Sequence, residues 1–342
     1  MASPDTPKVA LISGANGITG SAVLKQLCRN PIWTRIIAIS RSPPSNLPSD
    51  PRIEFHSLDA TVSVGEVAEA LTSKGVTNVT HYFHYAYIHT DYDHPQHLEK
   101  MAEDNVPLFK NILTAVDLTS RDTLHRVILQ TGGKNYGLML VPPASEPMTE
   151  DAHRVTDPSS LPNFYYLQED FLWSLSEERS LELEHHNALL DIWLCRKVSI
   201  SALAGLLRNS RSGLALNEDP AVQNQKFNIV DDTVTTFRDI FEGIGKYFGV
   251  ETKVERKYDL MSEVKELEKQ WPEIVQKHGG KQGALSLCTW DAFVYAMSAG
   301  EWGSVVNMDK ARKAGWTKKV DTLKEMEKIF DEMKRDGWIP DV

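Results

Sequence analysis

The segment Gly14-Ala15-Asn16-Gly17-Ile18-Thr19-Gly20 follows a short apolar run, Lys8 to Ser13, and opens a helical pattern. That placement gives the glycines a chemical meaning. Gly14 permits a tight turn, Gly17 lets the backbone approach a pyrophosphate, and Gly20 lets helix and strand pack closely. The start of the helix, with Asn16 and Ile18 beside it, aims free N–H groups and the positive end of the helix dipole at the phosphates. At the end of a second apolar run, Ile36 to Ile39, a chain built for NAD presents a carboxylate to the ribose hydroxyls. Ser40 and Arg41 stand there instead. A planar guanidinium suits a 2′-phosphate, so the pattern predicts NADPH/NADP+ as cofactor. Asp59, after a third run, is placed to accept from the adenine amine, although a carboxylate that caps its own turn has the same local sequence.

Proton transfer or carbonyl polarisation beside such a cofactor calls for a phenol with a cation nearby. Tyr165 and Tyr166 lie in a helical stretch, Asn163 to Ser176, but the residues four positions on are Glu169 and Asp170. A carboxylate there raises a phenol's pKa where a lysine would lower it, so the cation has to come from elsewhere. Lys134 lies in Gln130-Thr131-Gly132-Gly133-Lys134-Asn135-Tyr136-Gly137, just past the fifth apolar run, and α/β sheets place their ligand crevice at the carboxyl ends of the strands. Gln130 and Thr131, with Tyr85, Ala86 and Tyr87 at the end of the fourth run, are expected to line the cofactor pocket. His81, His84, His89 and His94 surround that fourth run, but their spacing fits no metal pattern, and no metal is expected. His185 and His186 read as a polar turn.

These residues need a scaffold that brings strand ends together. Short apolar runs predict strands at Lys8 to Ser13, Ile36 to Ile39, Ile53 to His56, His81 to Tyr85 and Arg126 to Gln130. Helical patterns alternate with them at Ser21 to Asn30, Glu66 to Leu71, Val106 to Leu118 and Asn163 to Ser176. The alternation predicts an α/β fold with a Rossmann-type doubly wound parallel sheet. Leu189 to Val198 reads as a sixth strand and Phe227 to Val230 as another, followed by a helix over Phe237 to Gly249. From about residue 251 the chain is rich in Lys and Glu and helical. The expected division is therefore a dinucleotide-binding domain over 1–230 and a smaller, mainly α-helical cap over 231–342, with a chain crossover between them. Trp290 and Tyr295 in the cap either border the substrate cavity or pack a helix on the sheet.

The 342 residues are 41% hydrophobic and 25% charged, enough for both parts. A formal net charge of -10 leaves no basic stripe for nucleic acid or an anionic membrane, so small-molecule chemistry is the better expectation. Cys28, Cys195 and Cys288 are far apart and imply neither a disulfide framework nor a zinc site. No leader pattern or membrane-length apolar stretch is evident, so a cytoplasmic protein is expected.

The pairing of QTGGKNYG with Asn163-Phe164-Tyr165-Tyr166-Leu167-Gln168-Glu169-Asp170 resembles the progesterone 5β-reductase/iridoid synthase-like family, whose signature is a QTG-x-KHY segment followed by NFYY-x-x-ED. The similarity extends over the glycine segment, Ser40-Arg41, the helix around Asn105, the Phe227-Asn228 strand and the Asn307 to Pro340 tail. It implies that Tyr165 and Lys134 are the catalytic pair, that Arg196 stands beside the nicotinamide, and that hydride passes from NADPH to the β-carbon of an enone or enal. The Tyr165 hydroxyl would stabilise the developing enolate oxygen, with Lys134 holding it electrostatically. With no charged anchor for recognition, a small hydrophobic substrate is expected. Oligomeric state is left open between monomer and homodimer.

Three departures from the family bear on function. Asn135 replaces the histidine of KHY, Arg196-Lys197 replaces an Arg-Pro after the sixth strand, and the stretch between Ser199 and Phe227 is shorter by some tens of residues that the family uses to cover the substrate. A less covered site weakens electrostatic help to an enolate. The sequence therefore leaves three activities open: an NADPH-dependent reductase, a non-redox isomerase or cyclase that keeps the cofactor, and a catalytically idle NADPH-binding regulator.

Overall fold

The computed structural model describes residues 7–340 apart from 45–46, 93, 139, 143–145, 180–181, 189–222, 232–233, 254–258, 286–289, 291–302, 304 and 318. Its centre is one sheet of parallel strands: β1 (Lys8–Ser13), β2 (Trp33–Ser40), β3 (Ile53–Ser57), β4 (His81–His84), β5 (Arg126–Thr131), β6 (Glu182–Ala188) and β7 (Gln225–Ile229). They lie in the order β3-β2-β1-β4-β5-β6-β7. The chain winds outward from β1 to β3, then returns to place β4 on the other side of β1. That reversal opens a crevice at the carboxyl ends of β1 and β4.

Strand residues alternate between two buried layers, which is why the strands read as apolar runs without alternation in polarity. Ala10, Ile12, Ile36 and Ala38 face one layer with α1 (Ile18–Arg29), while Val9, Leu11, Ile37 and Ile39 face the other with α2 (Val64–Ser73) and α3 (His97–Thr119). Helix starts follow local chemistry. Ser63 and Glu66 form a reciprocal capping box at α2. Behind β5 comes a tight 3₁₀ turn, Gly133–Tyr136, and then α4 (Phe164–Arg179), which packs Leu172 into the α3 layer.

After β7 the described helices are α5 (Phe237–Phe248), α6 (Leu260–His278), α7 (Asp309–Lys313) and α8 (Thr322–Arg335). Thr236 and Asp239 cap the start of α5, and Gly249 ends it at φ 67°. Ile240, Met308, Ala311, Trp316, Val320 and Met326 join the same core layer as α1. The crossing chain is tied down where Met148 bridges Val306 and Asn228 Nδ2 donates to the carbonyls of Met148 (3.3 Å) and Asn307 (3.1 Å). The helices nearest the C-terminus are therefore built onto one face of the sheet.

One expectation needs correcting. The described sixth strand is Glu182–Ala188, and His185 and His186 sit within it, not in a polar turn. It pairs in parallel with β5 on one side and β7 on the other, so its place is fixed by ladder hydrogen bonds that side-chain hydropathy does not reveal. The strand expected over 189–198, with Arg196 and Cys195, lies outside the described residues, as do Tyr295 and Cys288. Among the described residues no helix is long and apolar enough to cross a membrane, and no group of three or more His, Cys, Asp or Glu is arranged to hold a metal ion.

Candidate active site

A cleft of about 440 Å³ runs along the carboxyl ends of β1, β2, β4 and β5. At its nucleotide end the backbone does most of the shaping. Gly14 adopts φ +73°, and a Cβ there would stand 2.6 Å from the backbone of Tyr85 and Ala86, so any side chain is both strained and blocked. A Cβ on Gly20 would overlap the Gly14 carbonyl oxygen. Gly20 therefore sits under the turn and is not among the residues that line the cleft. Gly17 N donates to Gly14 O at 2.9 Å, and the residue offers no side chain to cap the free N–H groups of α1. Asn16, Gly17 and Ile18, at the start of α1, line the cleft.

Ser40, the last residue of β2, and Arg41 form the rim at the end of that strand. The Ser40 hydroxyl donates to Ser42 O at 2.7 Å, Asn16 Nδ2 donates to the Ser42 hydroxyl at 2.9 Å, and the Ser57 hydroxyl donates to Arg41 O at 2.8 Å. These bonds fix the rim backbone, and the Arg41 guanidinium extends from it exposed. Asp59 lines the cleft while its Oδ1 accepts from Thr61 N at 3.0 Å and the Thr61 hydroxyl at 2.7 Å, bonds that hold the carboxyl below its ordinary range. The turn cap and the pocket wall are thus the same residue. A dinucleotide fits this donor set: a cradle that a Cβ would fill, free helix-start N–H groups and a guanidinium at the ribose end. The cofactor would be held by Gly14, Asn16, Gly17, Ile18, Ser40 and Arg41.

The other end of the cleft is made of side chains from separate segments. Lys134, Tyr165, Gln130, Thr131, Tyr85 and Ala86 all line it. The turn carrying Lys134 is anchored by α4: Asn163 Nδ2 donates to Lys134 O at 2.6 Å, the Tyr166 hydroxyl to Asn135 O at 2.8 Å, and Asn135 Nδ2 to Glu169 Oε1 at 2.8 Å. Glu169, fully buried, also pairs with Arg154 at 2.9 Å and Lys226 at 2.7 Å, which compensates its charge. Asn163, Tyr166 and Glu169 therefore hold the turn, while Tyr165, half-buried, faces the cleft. Burial, with a smaller push from Glu169, raises the Tyr166 hydroxyl above its ordinary pKa. Tyr166 also accepts from Val155 N at 3.0 Å. It is the core tyrosine of the pair.

Sequence reasoning named Tyr87 but missed its neighbours on the same wall, Ile88, His89 and Tyr92. Asn105 clamps the loop after β4 through Ile88, accepting from its N–H at 2.8 Å and donating to its carbonyl at 2.9 Å. The clamp sets Tyr87, Ile88, His89 and Tyr92 along one wall. Lys134 Nζ donates to the Tyr92 hydroxyl at 3.0 Å. Ser13, Tyr82 and His84 form a buried triangle, with the His84 Nδ1 atom 2.7 Å from the Tyr82 hydroxyl and 3.0 Å from the Ser13 hydroxyl. Burial holds His84 neutral, with its pKa pushed down to about 3. The strand-end rule points to this loop, but no spacing singles out Tyr92 or Asn105. Trp290 does not line the cleft; its Nε1 donates to Leu285 O at 3.3 Å.

A profile of the PRISE-like Rossmann-fold domain matches residues 10–192, more than half of the chain. The chain belongs to the PRISE-like Rossmann-fold family. This PRISE-like protein is 27% identical, over 98% of its length and 100% of the relative's, to the short chain dehydrogenase gsfE of Penicillium aethiopicum. It is 24% identical, over 98% of its length and 94% of the relative's, to the (S)-8-oxocitronellyl enol synthase CYC2 of Camptotheca acuminata. The family match and these relatives place the chain among Rossmann-fold proteins of the short-chain dehydrogenase type. Among solved structures, the Bordetella bronchiseptica enzyme WbmG in complex with NAD superposes with a TM-score of 0.60 at 16% identity, over 97% of this chain and 96% of that one, which shows the shared fold. The alignment with gsfE is 392 positions long against 342 residues, so at least 50 of its positions face no residue of this chain.

Proposed function

We propose that this PRISE-like protein is an NADPH-dependent reductase acting on the activated C=C bond of a small hydrophobic enone or enal, or on a carbonyl. The observation that carries the reading is the lining of a single cleft by the glycine cradle, the Ser40-Arg41 rim, Lys134 and Tyr165. Bound NADPH supplies the hydride. Tyr165 lies at the half-buried edge of α4, where its hydroxyl donates to the substrate oxygen as negative charge gathers there. Lys134 adds a fixed positive charge to the same wall and, in a cleft partly shielded from water, favours the enolate over the neutral carbonyl. Tyr87, Ile88 and Phe164 give that wall its apolar surface. The relative named as an oxocitronellyl enol synthase fits a family chemistry that ends at an enol or enolate. Arg41 supports NADPH over NADH, because a guanidinium pairs with a 2′-phosphate in a way that no ribose hydroxyl can match.

The test is purified protein with NADPH and a panel of small enals, cyclic enones and carbonyls, following loss of absorbance of the reduced nicotinamide and identifying products by mass. Substrate-dependent oxidation with a saturated product or an alcohol supports the reading. Substrate conversion without oxidation points to a non-redox isomerase or cyclase. Tight binding of NADPH with no conversion anywhere in the panel points to a regulator.

A further inference from the structure

We infer that Tyr92 is a positioning residue of this site, holding the Lys134 ammonium in place so that the charge facing the substrate is set by the loop after β4. The inference rests on Tyr165 and Lys134 being the reacting pair. Lysine is a point charge on a long flexible stem, whereas electrostatic help to a transition state depends on a charge fixed before the reaction begins. The helical Tyr-to-Lys spacing that would fix it is absent, since Glu169 and Asp170 occupy those places. Tyr92 supplies such a constraint. Its hydroxyl accepts from Lys134 Nζ at 3.0 Å, which sets the ammonium beside the oxygen-bearing edge of the ring, 4.6 Å from its centre. Met101 Sδ closes another side at 3.8 Å.

Tyr92 is itself braced. Its ring stacks on His97 with centres 4.6 Å apart, and His97 Nδ1–H donates to Asp91 O at 2.9 Å. Burial holds His97 below the usual histidine range, so the imidazole under the phenol stays uncharged beside the ammonium. Farther back, the Asn105 clamp on Ile88 fixes the start of the same loop. Packing alone does not account for the residue, because Tyr92 belongs to neither layer of the sheet's core and stands on the cleft wall.

Two substitutions separate the hydroxyl from the ring. With trans-2-hexenal as the probe enal, Tyr92→Phe should lower kcat about tenfold, the size expected for losing one charge-assisted hydrogen bond, and Tyr92→Leu about a hundredfold, because the stack on His97 that braces the loop is lost as well. KM and the NADPH Kd should stay within about twofold of wild type. Partial retention of activity by the phenylalanine variant is a readout that a purely structural role would not give. A second measurement needs no turnover. Lysines are reductively methylated with ¹³C, the Lys134 signal is assigned by its loss in Lys134→Arg, and its ring-current shift is compared between wild type and Tyr92→Leu. Loss of the shift supports the contact. Wild-type kcat in both Tyr92 variants, or an unmoved Lys134 signal in Tyr92→Leu, overturns the inference. If wild type oxidises no NADPH with any acceptor, the proposed reaction fails, and the methyl signal still decides whether Tyr92 holds Lys134.

Discussion

The two ends of the cleft are built on opposite principles. At the end proposed to hold the nucleotide, the shape comes from side chains left out: Gly14 at φ +73°, Gly20 against the Gly14 carbonyl, and a start of α1 with no side-chain cap. At the other end the proposed function draws on side chains delivered by distant segments. Tyr165 arrives on α4, Lys134 on the turn after β5 and Tyr92 on the loop after β4. A backbone site is written within one short stretch of sequence, whereas a side-chain site depends on tertiary structure to bring its members together. The same contrast predicts different failures, because damage at the first end abolishes binding and damage at the second leaves a competent binder that does not react.

The sharpest way to break the comparison is to remove the reacting groups alone. Tyr165→Phe and Lys134→Met should each lower turnover by about 10²–10⁴-fold and leave the NADPH Kd from fluorescence titration near wild type; a matching loss of affinity would merge the two ends. Gly14→Val is the reverse test. Strain at positive φ and the 2.6 Å approach to Tyr85 and Ala86 should weaken NADPH binding by about a hundredfold, with turnover lost in consequence. A smaller change follows at the rim. Arg41→Ser should raise the NADPH Kd about tenfold and leave NADH almost untouched, as competitive titrations would show. Equal loss for both cofactors would mean that Arg41 does not read the 2′-phosphate.

The gentlest effect is on stability against pH. His84, at about 3, and His81, well below its ordinary range, are neutral because burial penalises the imidazolium. Between the ordinary value of about 6.5 and the depressed folded value, the unfolded chain takes up protons that the folded one refuses. This contribution to stability is fully present above about 6.5 and is lost as the pH falls toward 3. Thermal unfolding at successive pH values should show Tm declining below pH 6.5, with a shallower slope in His84→Asn. An unchanged slope would remove His84 from the explanation.

The same contrast explains what could be read before folding. The strands β1 to β5, the glycine cradle and the Ser40-Arg41 rim are legible because each is encoded by neighbours in sequence: an apolar run, a glycine turn, the first polar residues past a strand. Lys134 could be placed at the crevice by its position past the fifth apolar run and Tyr165 by its helix, but their pairing came only through a whole-motif resemblance, since nothing in their own spacing links them. Tyr92 and Asn105 gave no local signal, because a phenol next to a lysine 42 positions away is a product of topology. β6 was missed because its polar sequence is held by ladders on both sides, and its histidines resemble a turn when read alone. Phe237 to Gly249 reads as an amphipathic helix and the chain after it as a Lys- and Glu-rich helical cap; Ile240, Ala311, Trp316 and Met326 from this part pack into one layer of the sheet's core. The apolar face of that helix was visible in the sequence, but the surface that receives it was not.

The most direct test of the account follows the hydride itself. Wild-type protein is incubated with NADPH deuterated at both C4 positions and the best acceptor from the enal and enone panel, and the product is analysed by mass spectrometry. The account predicts a product carrying one deuterium at the former β-carbon or, for a carbonyl acceptor, at the carbinol carbon, formed in equal amount to the NADP+ released. A product that contains no deuterium, formed without loss of reduced cofactor, would contradict it.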